Sequence, residues 1–139
     1  MTRDVEPTGR ELEILKVLWD REEATVREVY EALSRELPIV QNTVQAFLRT
    51  MEDKRLVTHR IEGRTFIYRP VPQREQTARH LVSRLLDRAF DGALDQLVQS
   101  AFSVRPPTPE ELAGLEALIA KARSGLKRST KKSAMSIDP

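Results

Sequence analysis

Polar residues recur along one side of a short predicted helix near the middle of the chain. The other side of this helix is apolar at helical spacing, and its members are Val44, Phe47, Leu48 and Met51. Asn and Gln can pair with adenine through two hydrogen bonds, Ala can contact a thymine methyl group, and Arg can bind guanine or a phosphate. The outward side combines these residue types: Gln41, Asn42, Gln45, Ala46 and Arg49. This combination is suited to contacts with base edges in a DNA groove, and its amides favour sites that contain A·T pairs.

Two further cations flank a predicted turn that follows this helix. Residues 56–69 change to a period of two and include β-branched and aromatic residues, which predicts a β-hairpin with its turn at Glu62-Gly63. Arg60 and Arg64 lie on either side of that turn, where guanidinium groups can reach phosphates. The charge distribution also favours contact with phosphates by this region. Residues 40–69 contain six basic and three acidic residues, whereas residues 1–39 contain six basic and ten acidic ones.

Two earlier helices must position the central one. Each begins with a capping box, in which a Thr side chain and a Glu side chain each accept a backbone N–H: Thr8 with Glu11, and Thr25 with Glu28. The second helix is predicted to end at Pro38. Three helices and a hairpin form a winged helix-turn-helix, in which the third helix enters the major groove and the hairpin contacts the backbone beside it. The predicted fold class is mainly α with a small β-hairpin, with a DNA-binding domain over residues 1–70.

The second half of the chain is predicted to form a helical dimerisation arm over residues 71–124. A helical pattern runs from about residue 73 to 102 with a break near Gly92, and a last helix follows the N-cap Thr108 and Pro109. The apolar stripe is wider than one neighbour covers, so we expect a second copy of the chain to bury it. The predicted dimerisation residues are Leu81, Leu85, Phe90, Leu94, Leu97, Val98, Phe102, Leu115 and Leu118. Residues 125–139 are rich in Ser and Lys and are predicted to be a disordered basic tail.

Several functional classes are disfavoured by composition and motifs. The chain has no Cys, which excludes a thiolate metal site and a cysteine nucleophile. His59 and His80 are far apart in the sequence, so we expect surface histidines and no metal site. There is no phosphate loop, dinucleotide fingerprint or zinc-protease pattern, so we expect neither an enzyme nor a cofactor. No apolar run approaches the roughly 18 residues of a membrane span, and we expect a cytoplasmic protein without membrane insertion.

Two other interpretations of this pattern stay open. A helical bundle with a hairpin can also be a protein-docking module, because polar residues opposite an apolar stripe occur on any surface helix. A regulator with this organisation can also bind a small ligand between its DNA-binding domain and its dimerisation arm. A docking module lacks salt-dependent affinity for DNA, which distinguishes it from a DNA-binding protein.

The sequence also resembles a known family, through an ordered set of segments between about residues 8 and 120. The segments are TGRELEILKVLW at 8–19, VREVYEAL at 26–33, NTVQ at 42–45, Leu48-Arg49, EGRTFIY at 62–68 and FDGAL at 90–94. In this order they resemble the penicillinase-repressor family (BlaI/MecI type) of bacterial winged-helix regulators. Each segment alone is only modestly specific.

The resemblance implies a dimeric repressor that binds double-stranded DNA at a palindromic operator with a TACA/TGTA core. It also implies a partner, a membrane-bound sensor metalloprotease whose signal leads to cleavage of the repressor. By their position in the family pattern, Thr43, Gln45 and Arg49 take the roles of the recognition helix. Arg60 and Arg64 take the roles of the wing, which is the hairpin.

The sequence departs from the family pattern at several positions. Asn42 and Ala46 replace Lys and Thr of many relatives, and Arg55 replaces the Gly that usually ends the third helix. We therefore expect an altered operator preference and a strained helix end. The Asn-Phe bond that is cut in penicillinase repressors aligns near Ser100-Ala101 and is absent. The candidate cleavage region is consequently Ser100, Ala101 and Phe102.

Overall fold

The chain forms helices and short strands in the computed structural model, which describes residues 6–136 and the side chains of residues 6–128. In order, the elements are α1 (Gly9–Arg21), β1 (Ala24–Thr25), α2 (Val26–Ser34), α3 (Gln41–Asp53), β2 (Val57–Glu62), β3 (Thr65–Pro70), α4 (Arg74–Phe90), α5 (Leu94–Val104) and α6 (Pro109–Ser136). The chain divides into two units between Asp91 and Gly92. The first contains α1 to α4 and the strands, and the second contains α5 and α6.

Both predicted capping boxes at the start of the chain are confirmed. The Thr8 N–H donates to Glu11 Oε1 at 2.9 Å, and the Glu11 N–H donates to Thr8 Oγ1 at 3.3 Å. The corresponding distances for Thr25 and Glu28 are 2.9 and 3.1 Å. Because the first turn of a helix leaves its N–H groups without intrahelical partners, these bonds fix where α1 and α2 begin.

The predicted end of the second helix at Pro38 is wrong, since α2 ends at Ser34. The carbonyl of Leu33 then accepts the N–H groups of Glu36 and Leu37 at 3.1 and 2.9 Å, in a turn. The residue before a proline avoids helical backbone angles, and here the chain leaves the helix several residues earlier. Leu37 nevertheless packs against the core, as its place in the apolar pattern predicts.

The predicted hairpin is confirmed and carries a third strand that the sequence does not reveal. β2 and β3 are antiparallel, with His59 opposite Tyr68 and Ile61 opposite Phe66. Glu62 ends β2, so the turn consists of Gly63 and Arg64 and lies one residue later than predicted. β1 pairs with β3 on its other edge, which gives the order β1-β3-β2. A two-residue strand is too short to produce an alternating pattern, which is why sequence analysis misses β1.

The core lies beneath one face of α3. Val44, Leu48 and Met51 are fully buried, and Phe47 packs against them at the margin. The other buried apolar side chains come from α1, α2 and the sheet: Ile14, Leu15, Leu18, Ala24, Val29, Leu33, Leu56, Val57 and Tyr68. The predicted apolar stripe of the third helix therefore faces inward.

The C-terminus of α3 has the strained end that the missing glycine predicts. Arg55 has φ +65°, in the left-handed region that glycine normally occupies. The Arg55 N–H donates to Glu52 O at 3.0 Å and the Leu56 N–H donates to Met51 O at 2.8 Å, which is the Schellman pattern. Leu56, immediately after this turn, is buried. Its burial stabilises this helix end and offsets the strain of an arginine in the left-handed conformation.

A buried carboxylate joins the start of α1 to the end of α3. The Glu11 side chain accepts Lys54 Nζ at 2.9 and 3.1 Å in addition to its bond from Thr8, and it is almost completely buried. Burial alone raises the pKa of Glu11, but hydrogen bonds from Thr8 and Lys54 outweigh it and leave the pKa below its ordinary value. The C-terminal end of α3 is thereby tied to the start of α1.

α4 is fastened to the winged-helix elements by polar contacts. Trp19 Nε1 donates to the carbonyl of Pro72 at 3.0 Å, just before α4. Arg74 of α4 pairs with Asp20 at 2.6 Å and lies over the Trp19 ring, 5.5 Å from its centroid. Further along α4, Arg84 pairs with Glu6 at 2.9 Å. The start of the predicted arm is thus anchored to the winged-helix elements, α1 to β3, which we call the head.

The second unit exposes its apolar residues. α4 ends at Phe90 and is followed by Asp91 (φ +49°) and Gly92 (φ +84°), which confirms the predicted break. No side chain of α5, and none of α6 through residue 128, is buried. The predicted disordered tail is wrong for residues 125–136, which continue α6 as far as Ser136, since no proline interrupts this stretch. Residues 137–139 lie outside the described part. Within that part, no helix has the length and apolarity needed to cross a membrane.

We expect Glu11→Ala to lower the free energy of unfolding by about 2–4 kcal/mol at pH 7, because it leaves Lys54 and the Thr8 N–H without their acceptor. The control is Glu13→Ala on the same helix, whose Lys16 partner is 3.9 Å away and exposed, with little effect expected. Since folding lowers the pKa of Glu11, its contribution is present above pH 4.5 and decreases as the pH falls through the folded-state pKa. Urea unfolding of both variants between pH 7 and 3 measures this, and equal losses in both variants would contradict it.

Candidate nucleic-acid interface

The predicted base-reading face of α3 is exposed along its whole length. Opposite the buried stripe, the exposed side chains are Gln41, Asn42, Thr43, Gln45, Ala46 and Arg49. The first turn of α3 has no acidic residue, and Val40 provides no side-chain cap. No side chain of the first turn therefore neutralises the positive end of the helix dipole, which favours an anion such as a phosphate at this end of α3.

The wing and the start of α2 form a cleft with this face. The cleft has a volume of about 500 Å³, and three elements line it. α3 contributes Gln41, Gln45 and Arg49, and the wing contributes Arg64, Thr65, Phe66 and Tyr68. Thr25, Val26 and Arg27 come from the start of α2. Four of the predicted DNA-binding residues thus lie around one concave surface, whereas Asn42, Thr43 and Ala46 lie on the exposed helix outside it.

Arg60 is held by carboxylates of its own chain. Its guanidinium forms a two-pronged ion pair with Glu23, in which Nη2 is 3.0 Å from Oε1, and it also contacts Glu62 at 3.3 Å. Hydrogen bonds from Arg60 lower the pKa of Glu23, and Glu23 and Glu62 raise the pKa of Arg60. The sequence does not predict this arrangement, because Glu23 is 37 residues away.

The other two predicted arginines differ from Arg60. In the part of the chain that the structure describes, neither Arg49 nor Arg64 forms an ion pair with a carboxylate, and both are exposed on the cleft. Their charges are therefore available to a polyanion without the loss of an internal contact. A phosphate at Arg60 has to compete with Glu23 and Glu62 for its guanidinium group.

Sequence reasoning misses two groups at the cleft. Arg27 lies at the start of α2 and pairs with Glu31 at 3.0 Å on the helix surface. The sequence signal nearest to Arg27 is the capping box at Thr25. It predicts where α2 begins, but it does not predict which surface Arg27 lines. Phe66 is exposed at the cleft, although the sequence suggests only an ordinary strand residue.

The predicted dimerisation residues are all accessible in a single chain. Leu85, Leu94, Val98, Phe102 and Leu118 are exposed, and Leu81, Phe90, Leu97 and Leu115 are half-buried. The candidate cleavage residues Ser100, Ala101 and Phe102 lie inside α5. Among the described residues, no group of three or more His, Asp or Glu side chains could hold a metal ion.

This arrangement defines the class of protein. One face of α3 is buried beside a three-stranded sheet, and a hairpin lies next to its exposed face. This is the arrangement of a winged helix-turn-helix domain. The polar, basic cleft that this domain carries is that of a DNA-binding regulator.

Comparison with known proteins gives the family. The model of a family described as penicillinase repressor matches residues 7–121, and the chain belongs to this family. It is similar to the penicillinase repressor of Bacillus licheniformis, with 30% identity over 88 residues that cover 63% of this chain and 69% of the relative. The protein is thus a DNA-binding transcriptional repressor, a class that is not an enzyme class.

Solved structures of similar proteins include two of BlaI. The solution structure of the DNA-binding domain of the repressor BlaI has 29% identity and a TM-score of 0.49, over 55% of this chain and 93% of that one. The solution structure of monomeric Bacillus licheniformis BlaI in complex with the blaP half-operator has 29% identity and a TM-score of 0.47, with the same coverage.

We expect the three arginines to contribute unequally to DNA affinity. Arg49→Ala and Arg64→Ala should each weaken binding and reduce the slope of log K against log salt by about 1 per protomer, because each removes one phosphate contact. Arg60→Ala should change the slope less, because its charge is already paired with Glu23 and Glu62. Titrations at four salt concentrations measure the slopes. Equal slopes for Arg60→Ala and Arg64→Ala would show that Glu23 does not compete with phosphate.

Proposed function

We propose that this repressor acts as a homodimer on a palindromic operator with a TACA/TGTA-type core. The observation that carries the proposal is the exposed face of α3, which lies opposite the buried Val44, Leu48 and Met51 and lines the same cleft as Arg64. Amide side chains on that face can read adenines, and Ala46 can accommodate a thymine methyl group. Arg49 and Arg64 supply the phosphate contacts that set the register.

Dimerisation is part of the proposal because a single head of this size has few contacts with DNA. When two heads are linked, the second half-site is bound within the same complex, at a high effective concentration. The exposed apolar residues of α4, α5 and α6 support this role, since exposed Leu94, Phe102 and Leu118 on one chain favour burial against another. A dimer seated across both half-sites represses by blocking access of RNA polymerase. An operator on the bacterial chromosome places the protein in the cytoplasm.

We also propose that proteolysis of the arm releases the repressor from DNA. A membrane-bound sensor metalloprotease is the partner that the family resemblance suggests, and Ser100, Ala101 and Phe102 are the candidate region. These residues lie within α5, which belongs to the second unit. A cut there leaves α1 to α4 intact and separates them from α6. It therefore weakens dimerisation and leaves the contacts with bases unchanged.

The operator is tested by fluorescence anisotropy with a labelled TACA/TGTA palindrome and a scrambled duplex, each at low and physiological salt. We expect tight binding to the palindrome that weakens with salt and stays well above the control. Gln45→Ala should reduce the preference about tenfold, because it removes one two-pronged adenine contact. Gln76→Ala on exposed α4 is the matched control. Equal weak binding to both duplexes would leave only charge attraction and would favour the protein-docking alternative.

The dimer is tested by sedimentation velocity at micromolar concentration. Leu94 is 61% exposed at the start of α5, so Leu94→Asp should not disturb the fold of a single chain. A charge in a dimer core cannot be buried without a partner, and we therefore expect Leu94→Asp to sediment as a monomer. Leu94→Met, which keeps an apolar side chain of similar volume, should remain dimeric. A dimeric Leu94→Asp variant would remove Leu94 from the interface.

A further inference from the structure

The wing exposes a pair of large apolar side chains beside its turn. Ile61 on β2 and Phe66 on β3 are directly opposite each other in the antiparallel register. Ile61 is 59% exposed and Phe66 is 42% exposed, so neither belongs to the core. An exposed aliphatic–aromatic pair at the end of a hairpin adds little to folding, because water still reaches both side chains.

Phe66 lies among the polar residues of the cleft. It lines the same surface as Gln45 and Arg49 of α3 and Arg64 of the wing. An apolar group that is bordered by two arginines without carboxylate partners suits a polyanion with apolar carbon surface between its charges. A DNA groove has this chemistry, since thymine methyl groups and deoxyribose carbons lie between two rows of phosphates.

The orientation of Phe66 is set by a chain of contacts that begins on α3. Glu52 Oε2 and Oε1 lie 2.6 and 2.8 Å from Nδ1 of His59, which is on β2. The His59 ring stacks on the Phe66 ring, with centroids 4.2 Å apart and planes 8° from parallel. His59 is therefore half-buried and paired, and the expectation of an ordinary surface histidine is wrong.

This chain of contacts has a consequence for binding. Because Glu52 belongs to the same helix as Gln45 and Arg49, it couples the position of the wing aromatic to the position of the recognition face. A side chain that is already oriented loses less conformational entropy when it binds.

We propose that Phe66, supported by Ile61, packs directly against the apolar carbon surface of the operator, and that Glu52 and His59 are positioning residues for it. The inference rests on the proposed operator binding and deepens it with a contact that carries no charge. Thymine methyl groups and deoxyribose edges are the two sources of that surface. An apolar contact releases no counterions, so it adds affinity without adding to the salt slope.

The test compares Phe66→Ala, Phe66→Leu and Arg64→Ala on the TACA/TGTA duplex over a range of salt concentrations. We expect Phe66→Ala to weaken binding about tenfold with an unchanged slope, because it removes apolar contact only. Phe66→Leu should retain most of the affinity. Arg64→Ala should lower both affinity and slope. The matched control is Val71→Ala, since Val71 is 53% exposed on the same unit and does not line the cleft.

A double-mutant cycle separates positioning from general stability. His59→Ala should weaken operator binding in the parent and have no further effect in the Phe66→Ala background, because it acts through Phe66. Glu52→Gln, which can still accept a hydrogen bond from the imidazole, should bind nearly as well as the parent. A role confined to folding would lower the melting temperature in both backgrounds and give additive losses of affinity.

Replacing thymine by uracil in the duplex distinguishes the two sources of apolar surface. If the parent loses affinity on the uracil duplex and Phe66→Ala does not, the contact is with a methyl group. If both lose it equally, the contact is with deoxyribose. A parent that binds specifically while folded Phe66→Ala binds equally well overturns this inference alone. A parent that does not distinguish the palindrome from the scrambled duplex overturns both the operator proposal and this one.

Discussion

Complete burial of one face of α3 is the constraint on which the rest of the head depends. Val44, Leu48 and Met51 are inaccessible to solvent, so the helix cannot rotate about its axis without exposing apolar surface. The polar face is therefore presented at a fixed angle. The same packing explains how a short helix with no N-terminal side-chain cap is retained, because tertiary contacts replace the missing local signal.

Polar contacts at the margins of this core fix how the elements around it are oriented. Glu11 fixes the end of α3 through Lys54, Glu52 of the same helix holds His59 on the wing, and Glu23 holds Arg60. The first and third contacts join residues 43 and 37 positions apart in the sequence, and the second joins the consecutive elements α3 and β2. Carboxylates thus perform two tasks in this protein: Glu11 and Glu52 join α3 to α1 and to the wing, and Glu23 pairs with the charge of Arg60.

The two units have different energetic characters. The head buries its apolar residues, and α4 is tied to it through Pro72, Arg74 and Arg84. In the second unit no described side chain is buried. A helix that buries nothing within its own chain gains little stability from packing, and association with another copy is the simplest source of that stability.

The sequence alone determined the features that depend on neighbouring residues. These are the capping boxes at Thr8 and Thr25, the apolar stripe of α3, the hairpin, the break at Gly92 and the exposed residues of the recognition face, because local hydrogen bonds and helical periodicity specify them. Only the tertiary structure decided the pairing of β1 with β3, the capture of Arg60 by Glu23 and the stacking of His59 on Phe66. It also tied α4 to the head. These contacts join residues that are distant in the sequence or lie on different elements, and their geometry exists only after the core has brought those elements together.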